Sequence, residues 1–257
     1  MARVTVLLTA LPALALTACG AHDEAPVPPS ACEPVMFEDT PLTHCVADPA
    51  RHRIRTVLDA PDGDPARSLA VLADIVPEPS NVAFAMNGGM FDEEGEPIGY
   101  YVEDGERRHT LNRNPGGGNF HLMPNGVFYG SGGEWHVRAT ADFADTVTER
   151  PEFATQTGPM LVIDGNLHPA FEDDGESKKT RNAVGVDRQG HAHFVISEAP
   201  LSFGKLARYF RDELKTPNAL FLDGSVSQLW DPARGRIDGG PELGPLIVVE
   251  KHGLSLR

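Results

Sequence analysis

Residues 66–89 read ARSLAVLADIVPEPSNVAFAMNGG, and the fold follows from how this stretch divides. Leu69, Leu72, Ala73 and Val76 recur at helical spacing, so Ala66 to Val76 is predicted to be a helix with one apolar face. After a Pro-containing break, Val82 to Met86 is a short unbroken apolar run, which reads as a buried strand running into Asn87-Gly88-Gly89. Upstream, Arg53 to Leu58 has strand character and completes a strand-helix-strand unit. A second unit is predicted downstream. Ala192 to Ile196 is strand-like, Ser202 caps a helix that buries Phe203, Leu206, Ala207, Phe210 and Leu214, and Ala219 to Leu222 is a short apolar strand. Between the units lie strand candidates at Ile98 to Val102, Asn119 to Met123, Gly126 to Tyr129, Glu134 to Arg138, Met160 to Ile163 and Ala183 to Val186, and Leu246 to Val249 would close the domain. This pattern predicts an α+β (mixed α/β) fold: a single domain with a substantial mixed β-sheet covered by a few helices.

The chain opens with Arg3 and an apolar run from Val4 to Leu16, the layout of a secretory signal and too short to span a bilayer. It continues Leu16-Thr17-Ala18-Cys19-Gly20, which resembles the lipobox of bacterial lipoproteins, with Cys19 as the lipid-bearing first residue after cleavage. Residues 1–18 are therefore expected to be a signal peptide, 19–34 a Pro-rich lipidated tether and 35–257 the folded domain. The protein is expected outside the cytoplasm, anchored to the periplasmic face of a bacterial envelope membrane through its N-terminal lipid. Cys32 and Cys45 remain as an even pair in an oxidising compartment, which favours a disulfide over two free thiols or a weak metal site with His44. A formal net charge of −15 argues against nucleic acid as a partner, because such binding depends on basic groups releasing counterions from phosphates. One or two arginines in a pocket can still hold a small phosphorylated ligand.

Two turns follow the second strand of each unit: Asn87-Gly88-Gly89-Met90-Phe91-Asp92 and Asp223-Gly224-Ser225-Val226-Ser227. If the strands of each unit run parallel, both turns lie at strand carboxyl ends, where open sheets place ligands. Paired glycines can let a backbone approach an anion, although an ordinary hairpin turn is the simpler reading of their spacing. Thr155-Gln156-Thr157-Gly158 sets hydroxyls and an amide before a strand, and Lys178, Lys179 and Arg181 read by themselves as a solvated basic loop.

Taken together and in order, these segments resemble the phosphodiester glycosidase family, whose domain is shared with the animal enzyme that uncovers mannose 6-phosphate. The resemblance rests on Ala85 to Asp92, Pro97-Ile98-Gly99, Pro124 to Phe128, Thr155 to Val162, Arg181 to Asp187 and Leu222 to Ser227. Within the family, the Asp223-Gly224-Ser225-Val226-Ser227 form resembles a bacterial lipoprotein subgroup. The resemblance implies that Asn87, Arg181 and Asp223 are catalytic, with Arg181 on the phosphate, and that Gly88, Gly89, Thr157, Gly158 and Ser225 border the substrate. It implies hydrolysis of the anomeric C–O bond of a glycosyl phosphodiester in an envelope or extracellular glycan. The residue types suit that reaction: the phosphate is already a good leaving group, cations stabilise its departure, and a carboxylate activates water or attacks the anomeric carbon. Asp223 is the first choice for that carboxylate, with Asp187, Asp92 and Glu198 in reserve. The rival reading is a non-catalytic envelope protein that binds a phosphorylated glycan during polysaccharide assembly or export.

No cofactor is required by this chemistry, and no metal site is assigned. His191 and His193 alternate on one strand and read more simply as exposed strand surface than as metal ligands. The acidic turns at 92–96 and 172–176 could attract calcium but lack EF-hand spacing and read as solvated turns. Gly116-Gly117-Gly118 lacks the ending of a P-loop, and Ser225 lacks the spacing of a nucleophile elbow.

Overall fold

The computed structural model describes residues 1–2, 29–224 and 226–253, so Cys19, most of the signal and tether segments, and Ser225 lie outside the described residues. The described residues form seventeen strands in three sheets, numbered here in chain order. The first sheet is ordered β1 (Cys32–Phe37), β2 (Thr40–Ala47), β13 (Ala192–Ser197), β12 (Asn182–Val186), β14 (Asn218–Phe221), β10 (Met160–Ile163) and β11 (Asn166–Leu167). The second is ordered β16 (Arg236–Ile237), β15 (Leu229–Asp231), β4 (Val82–Asn87), β17 (Leu246–Lys251) and β3 (His52–Val57). The third is ordered β6 (Glu106–His109), β5 (Tyr101–Glu103), β9 (Phe153–Thr157), β7 (Gly126–Ser131) and β8 (Glu134–Ala139). Helices α1 (Leu69–Ile75), α2 (Thr140–Thr146) and α3 (Phe203–Arg208) cover them. The fold is α+β in one domain.

The one mixed sheet expected is divided into three, and the named strand pairings are antiparallel. The parallel relation inside each strand-helix-strand unit survives in another form. β3 and β4 both pair with β17, and β13 and β14 both pair with β12, so each unit is split by an antiparallel strand and its outer strands point the same way. β17 lies inside its sheet between β4 and β3, as its four fully buried apolar residues at 246–249 require.

The helices form where the apolar spacing and caps put them. Ser68 Oγ accepts from Val71 N to start α1, which buries Leu69 and Leu72, and Ser202 Oγ accepts from Lys205 N to start α3, which buries Leu206 and Ala207. α3 passes into a π-helical turn at Tyr209–Glu213. The Asn119 to Met123 strand candidate is instead a single 3-10 turn at Asn119–His121, because Phe120 alone of its first three residues turns inward. The first strand begins at Cys32: β1 pairs with β2 in register and the Cys32–Cys45 disulfide joins them. Pro34 is tolerated because β1 is an edge strand.

The three sheets meet at one aromatic contact. Phe84 of the second sheet, Phe128 of the third and Phe194 of the first are fully buried, with Phe194 5.3 Å from Phe84 and 5.6 Å from Phe128 between ring centroids. Each such ring contributes about 2–3 kcal/mol by burial, and together they pack the middles of the three sheets against one another.

Candidate functional site

At the carboxyl end of β4 the sheets converge a second time, through polar groups. Asn87 ends β4, Thr157 ends β9, Asn182 begins β12, and Asp223 lies two residues after the end of β14, so each sheet contributes to one network. Asn182 is fully buried and Asn87 is 1% exposed. Asn182 Nδ2 donates to the Asn87 carbonyl at 2.9 Å and to Asn87 Oδ1 at 3.0 Å, while Asn182 Oδ1 accepts from Asp223 N at 2.9 Å and from Ser227 Oγ at 3.3 Å. Asn87 Oδ1 also accepts from Gln228 N, and its Nδ2 donates to the Asp223 carbonyl at 3.2 Å. Thr157 Oγ1 donates to Leu222 O at 2.6 Å, and Ser227 Oγ to Asp223 O at 2.8 Å. The Asp223 turn is thus held from both flanks by buried amides and hydroxyls, and Asp223 itself stays partly exposed above them.

The glycines serve this convergence by being small. A Cβ on Gly88 would lie 2.4 Å from Ile247 Cγ1, on Gly89 2.6 Å from Thr155 Oγ1, and on Gly158 2.5 Å from Asn125 Cβ. The Gly88 amide donates to Pro245 O, and Thr155 Oγ1 donates to Gly88 O. Gly88 and Gly89 therefore pack the end of β4 against β17 and β9 and are buried.

Arg181 departs furthest from the solvated loop it suggests. It is 1% exposed, its guanidinium lies 3.6 Å from the centre of the Phe203 ring and 5.5 Å from that of Phe221, and it donates to Leu201 O and to Ser177 O and Oγ. Those hydrogen-bond acceptors include no carboxylate, and burial pulls its pKa down to about 10, so it remains a cation. Its neighbour Asn182 points into the amide network, and the Phe221 ring reaches both Arg181 and the turn: its centre is 5.5 Å from the guanidinium, and a Cβ on Gly224 would sit 2.8 Å from its Cζ. Arg181 is thus one ring removed from the Asp223 turn. Lys178 is on the surface, paired with Asp174 at 2.9 Å.

A cleft of about 430 Å³ opens beside this network, lined by Thr180, Ser197, Glu198, Ser227, Arg236 and Asp238 among others. Ser227 belongs both to its wall and to the hydrogen bonds that hold Asp223. Of the reserve carboxylates, Glu198 is brought to this cleft and the others are not. Asp92 Oδ1 accepts from Glu94 N and Glu96 N within its own acidic turn. Asp187 Oδ2 meets His191 Nδ1 at 3.0 Å and His193 Nε2 at 3.1 Å, and His193 Nδ1 lies 2.9 Å from His44 Nε2. His193 is therefore a half-buried link in a chain, not exposed strand surface, with burial lowering its pKa. A larger cavity of about 760 Å³ lies among Arg51, His52, His191 and Lys251 and contains none of the residues singled out as catalytic, so volume does not mark the site. Among the described residues, no group of three or more His, Cys, Asp or Glu side chains is arranged to hold a metal ion.

Asn182, Ser227 and Thr155 were not singled out from the sequence. Asn182 sits in the Arg181-Asn182 pair, where the cation draws attention and the amide does the joining.

Comparison with known proteins agrees with this architecture. The phosphodiester glycosidase family model (NAGPA) matches residues 80–232, a span that holds Asn87, Thr157, Arg181, Asn182 and Asp223. The chain is 34% identical over 184 residues to the uncharacterized protein YigE of Escherichia coli (strain K12), covering 71% of each chain. Its fold is similar to the catalytic domain of zebrafish N-acetylglucosamine-1-phosphodiester alpha-N-acetylglucosaminidase, auto-inhibited by its pro-peptide, with TM-score 0.57, 16% identity and coverage of 90% of this chain and 86% of that one. A hypothetical protein from Synechocystis shares the fold at TM-score 0.55 and 15% identity, over 86% of this chain and 61% of that one. The structural likenesses speak to fold; the family match across more than half of the chain, the YigE relative and the order of motifs along it show that this protein belongs to the phosphodiester glycosidase family.

Proposed function

We propose that this protein is a hydrolase that cleaves the anomeric C–O bond of a glycosyl phosphodiester in an envelope or extracellular glycan. The observation that carries the reading is the buried Asn87–Asn182 pair, which fixes the backbone of Asp223 from both sides at the point where three sheets meet. Burying two amides is costly unless every group is bonded, and here the bonds hold one partly exposed carboxylate residue in place. Asp223 is the catalytic carboxylate, activating water or attacking the anomeric carbon. Asn87, with Asn182 and Thr157, positions it, and Gly88, Gly89 and Gly158 allow the backbones to approach closely enough to do so. Arg181 supplies positive potential behind the turn, where low polarity lengthens its reach, and so stabilises the departing phosphate. The family resemblance assigns Ser225 to the substrate border, and it lies outside the described residues.

We also place the enzyme outside the cytoplasm, tethered by lipid on Cys19. The Cys32–Cys45 disulfide supports that location, since such bonds persist in oxidising compartments. No helix among the described residues is long and apolar enough to cross a membrane.

The test is release of free reducing sugar from a panel of α-glycosyl phosphodiesters by the purified chain, with and without chelator. Turnover by the wild type and its loss in Asp223→Ala, with an unchanged circular dichroism spectrum, is the expected result. Wild-type turnover by Asp223→Ala would remove the carboxylate from its role, and binding without turnover of any substrate would favour the non-catalytic glycan-binding reading.

A further inference from the structure

We propose that the cleft beside Ser227 is the subsite for the glycosyl unit, that it takes a neutral, polyhydroxylated sugar, and that Glu198 is its specificity-determining residue. This rests on the phosphodiester glycosidase reading and assigns the two halves of the substrate to different walls.

Arg236 spans two carboxylates in the cleft. Its Nη1 donates to Glu198 Oε1 at 2.6 Å, and its Nε and Nη2 donate to Asp238 Oδ1 and Oδ2 at 2.9 and 2.8 Å. Thr43 Oγ1 donates to Glu198 Oε1 as well, so Glu198 is fixed from two directions while its side chain stays 35% exposed. Oε1 is filled by Arg236 and Thr43 and, among the described residues, Oε2 meets only Arg236 Nη2, at 3.3 Å, so the carboxylate is held still with an acceptor position on Oε2 prearranged for a sugar hydroxyl. The cluster carries two negative charges and one positive, a net of −1, and no other cation lines this wall. A phosphate or uronate placed there would be repelled, whereas hydroxyls would be bound.

The phosphate is therefore assigned toward the Arg181 cation and the sugar toward Glu198, with the Asp223 turn joined to the cleft by Ser227 Oγ. Ile237, 47% exposed on the cleft rim, gives an apolar patch suited to the C–H face of a pyranose. A volume of about 430 Å³ falls in the range of small-ligand sites and suits one sugar residue better than an extended chain.

The experiment uses the intact mature chain, with binding of free monosaccharides measured by saturation-transfer NMR and calorimetry in parallel with turnover. Glucose, mannose, galactose and N-acetylglucosamine are the neutral probes and glucuronate the acidic one. At least one neutral sugar should bind the wild type at least tenfold more tightly than glucuronate. Glu198→Gln should weaken that binding about tenfold, raise KM more than it lowers kcat, and narrow the preference over glucuronate. Ile237→Glu, on the exposed rim where folding is not at stake, should weaken the same sugar about fivefold. Neutral-sugar binding lost in both variants without any turnover would uphold the subsite and overturn the hydrolase reading. Turnover with KM and sugar affinity unchanged in both variants, no neutral sugar bound by the wild type, or glucuronate bound as well as glucose would overturn the subsite.

Discussion

Replacing Asn182 with alanine should cost about 3 kcal/mol of stability. The side chain is fully buried, and its loss strips the acceptor from Asp223 N and two donors from Asn87. Each buried polar group left unpaired costs about 1–3 kcal/mol; Asn87 Oδ1 keeps Gln228 N, so the larger penalties fall on Asp223 N and the Asn87 carbonyl. For a domain of this size about 3 kcal/mol lowers the melting temperature by about 6–12 °C. Asn182→Asp separates acceptor from donor: it keeps an oxygen for Asp223 N but turns another toward Asn87 Oδ1 and O, so it should melt at least as low as the alanine variant. In turnover both variants should lower kcat about a hundredfold, because the Asp223 backbone loses one of the three side chains that hold it and small misplacements are costly in rate. Thermal unfolding by circular dichroism beside initial rates at saturating substrate measures both. An alanine variant melting within about 1 °C of wild type would refute the claim that this amide holds the site.

Other consequences follow from single features. The Cys32–Cys45 bond closes a loop across a sequence separation of 13, so Cys32→Ala/Cys45→Ala should lower stability by about 3 kcal/mol in urea unfolding, and the wild type should show no free thiol from this pair when unfolded without reductant. Burial, and then the neighbouring His193, pull His44 down to about 4; burial, and then Arg51, pull His52 to about 4. Both pKa values lie below the unfolded value of about 6.5, so the unfolded chain binds more protons in between. Stability is therefore full above about pH 6.5 and falls toward about pH 4, by about 3 kcal/mol per histidine. Urea unfolding from pH 7 to 4 checks this, and His44→Gln should flatten the slope. Arg181→Lys should keep the charge but lose the planar stack on Phe203 and a donor to Ser177. It should cost about 1–2 kcal/mol by the same unfolding assay and lower kcat less than Arg181→Ala does.

Much of the fold was legible where apolar pattern and local chemistry agree. Val82 to Met86 is a strand because every residue is buried, and the Ser202 helix has both its cap and its apolar stripe. The disulfide followed from the expected compartment and the cysteine count. β9 was hidden because Thr155, Gln156 and Thr157 are polar yet buried, and their side chains bond across to Gly88, Asn112 and Leu222 rather than to water. β1 and β2 were hidden because Cys, Pro, Thr and His give no clear alternation, and their pairing is stated only by the register. The candidate site was half legible. Asp223 and Asn87 stood out by their turns, but Arg181's burial depends on Phe203, far along the chain, and Glu198 and Arg236 meet only once β13 and β16 are placed.

The central claim is that the bond broken is the one between the anomeric carbon and oxygen, not the one between oxygen and phosphorus. Hydrolysis of a glycosyl phosphodiester in oxygen-18 water, analysed by mass spectrometry before the anomeric hydroxyl exchanges, tests it directly. Attack at the anomeric carbon, through an oxocarbenium-like transition state with Asp223 assisting, leaves the label on the sugar and none on the released phosphate monoester. Label in the phosphate would contradict the account, because it would mean attack at phosphorus.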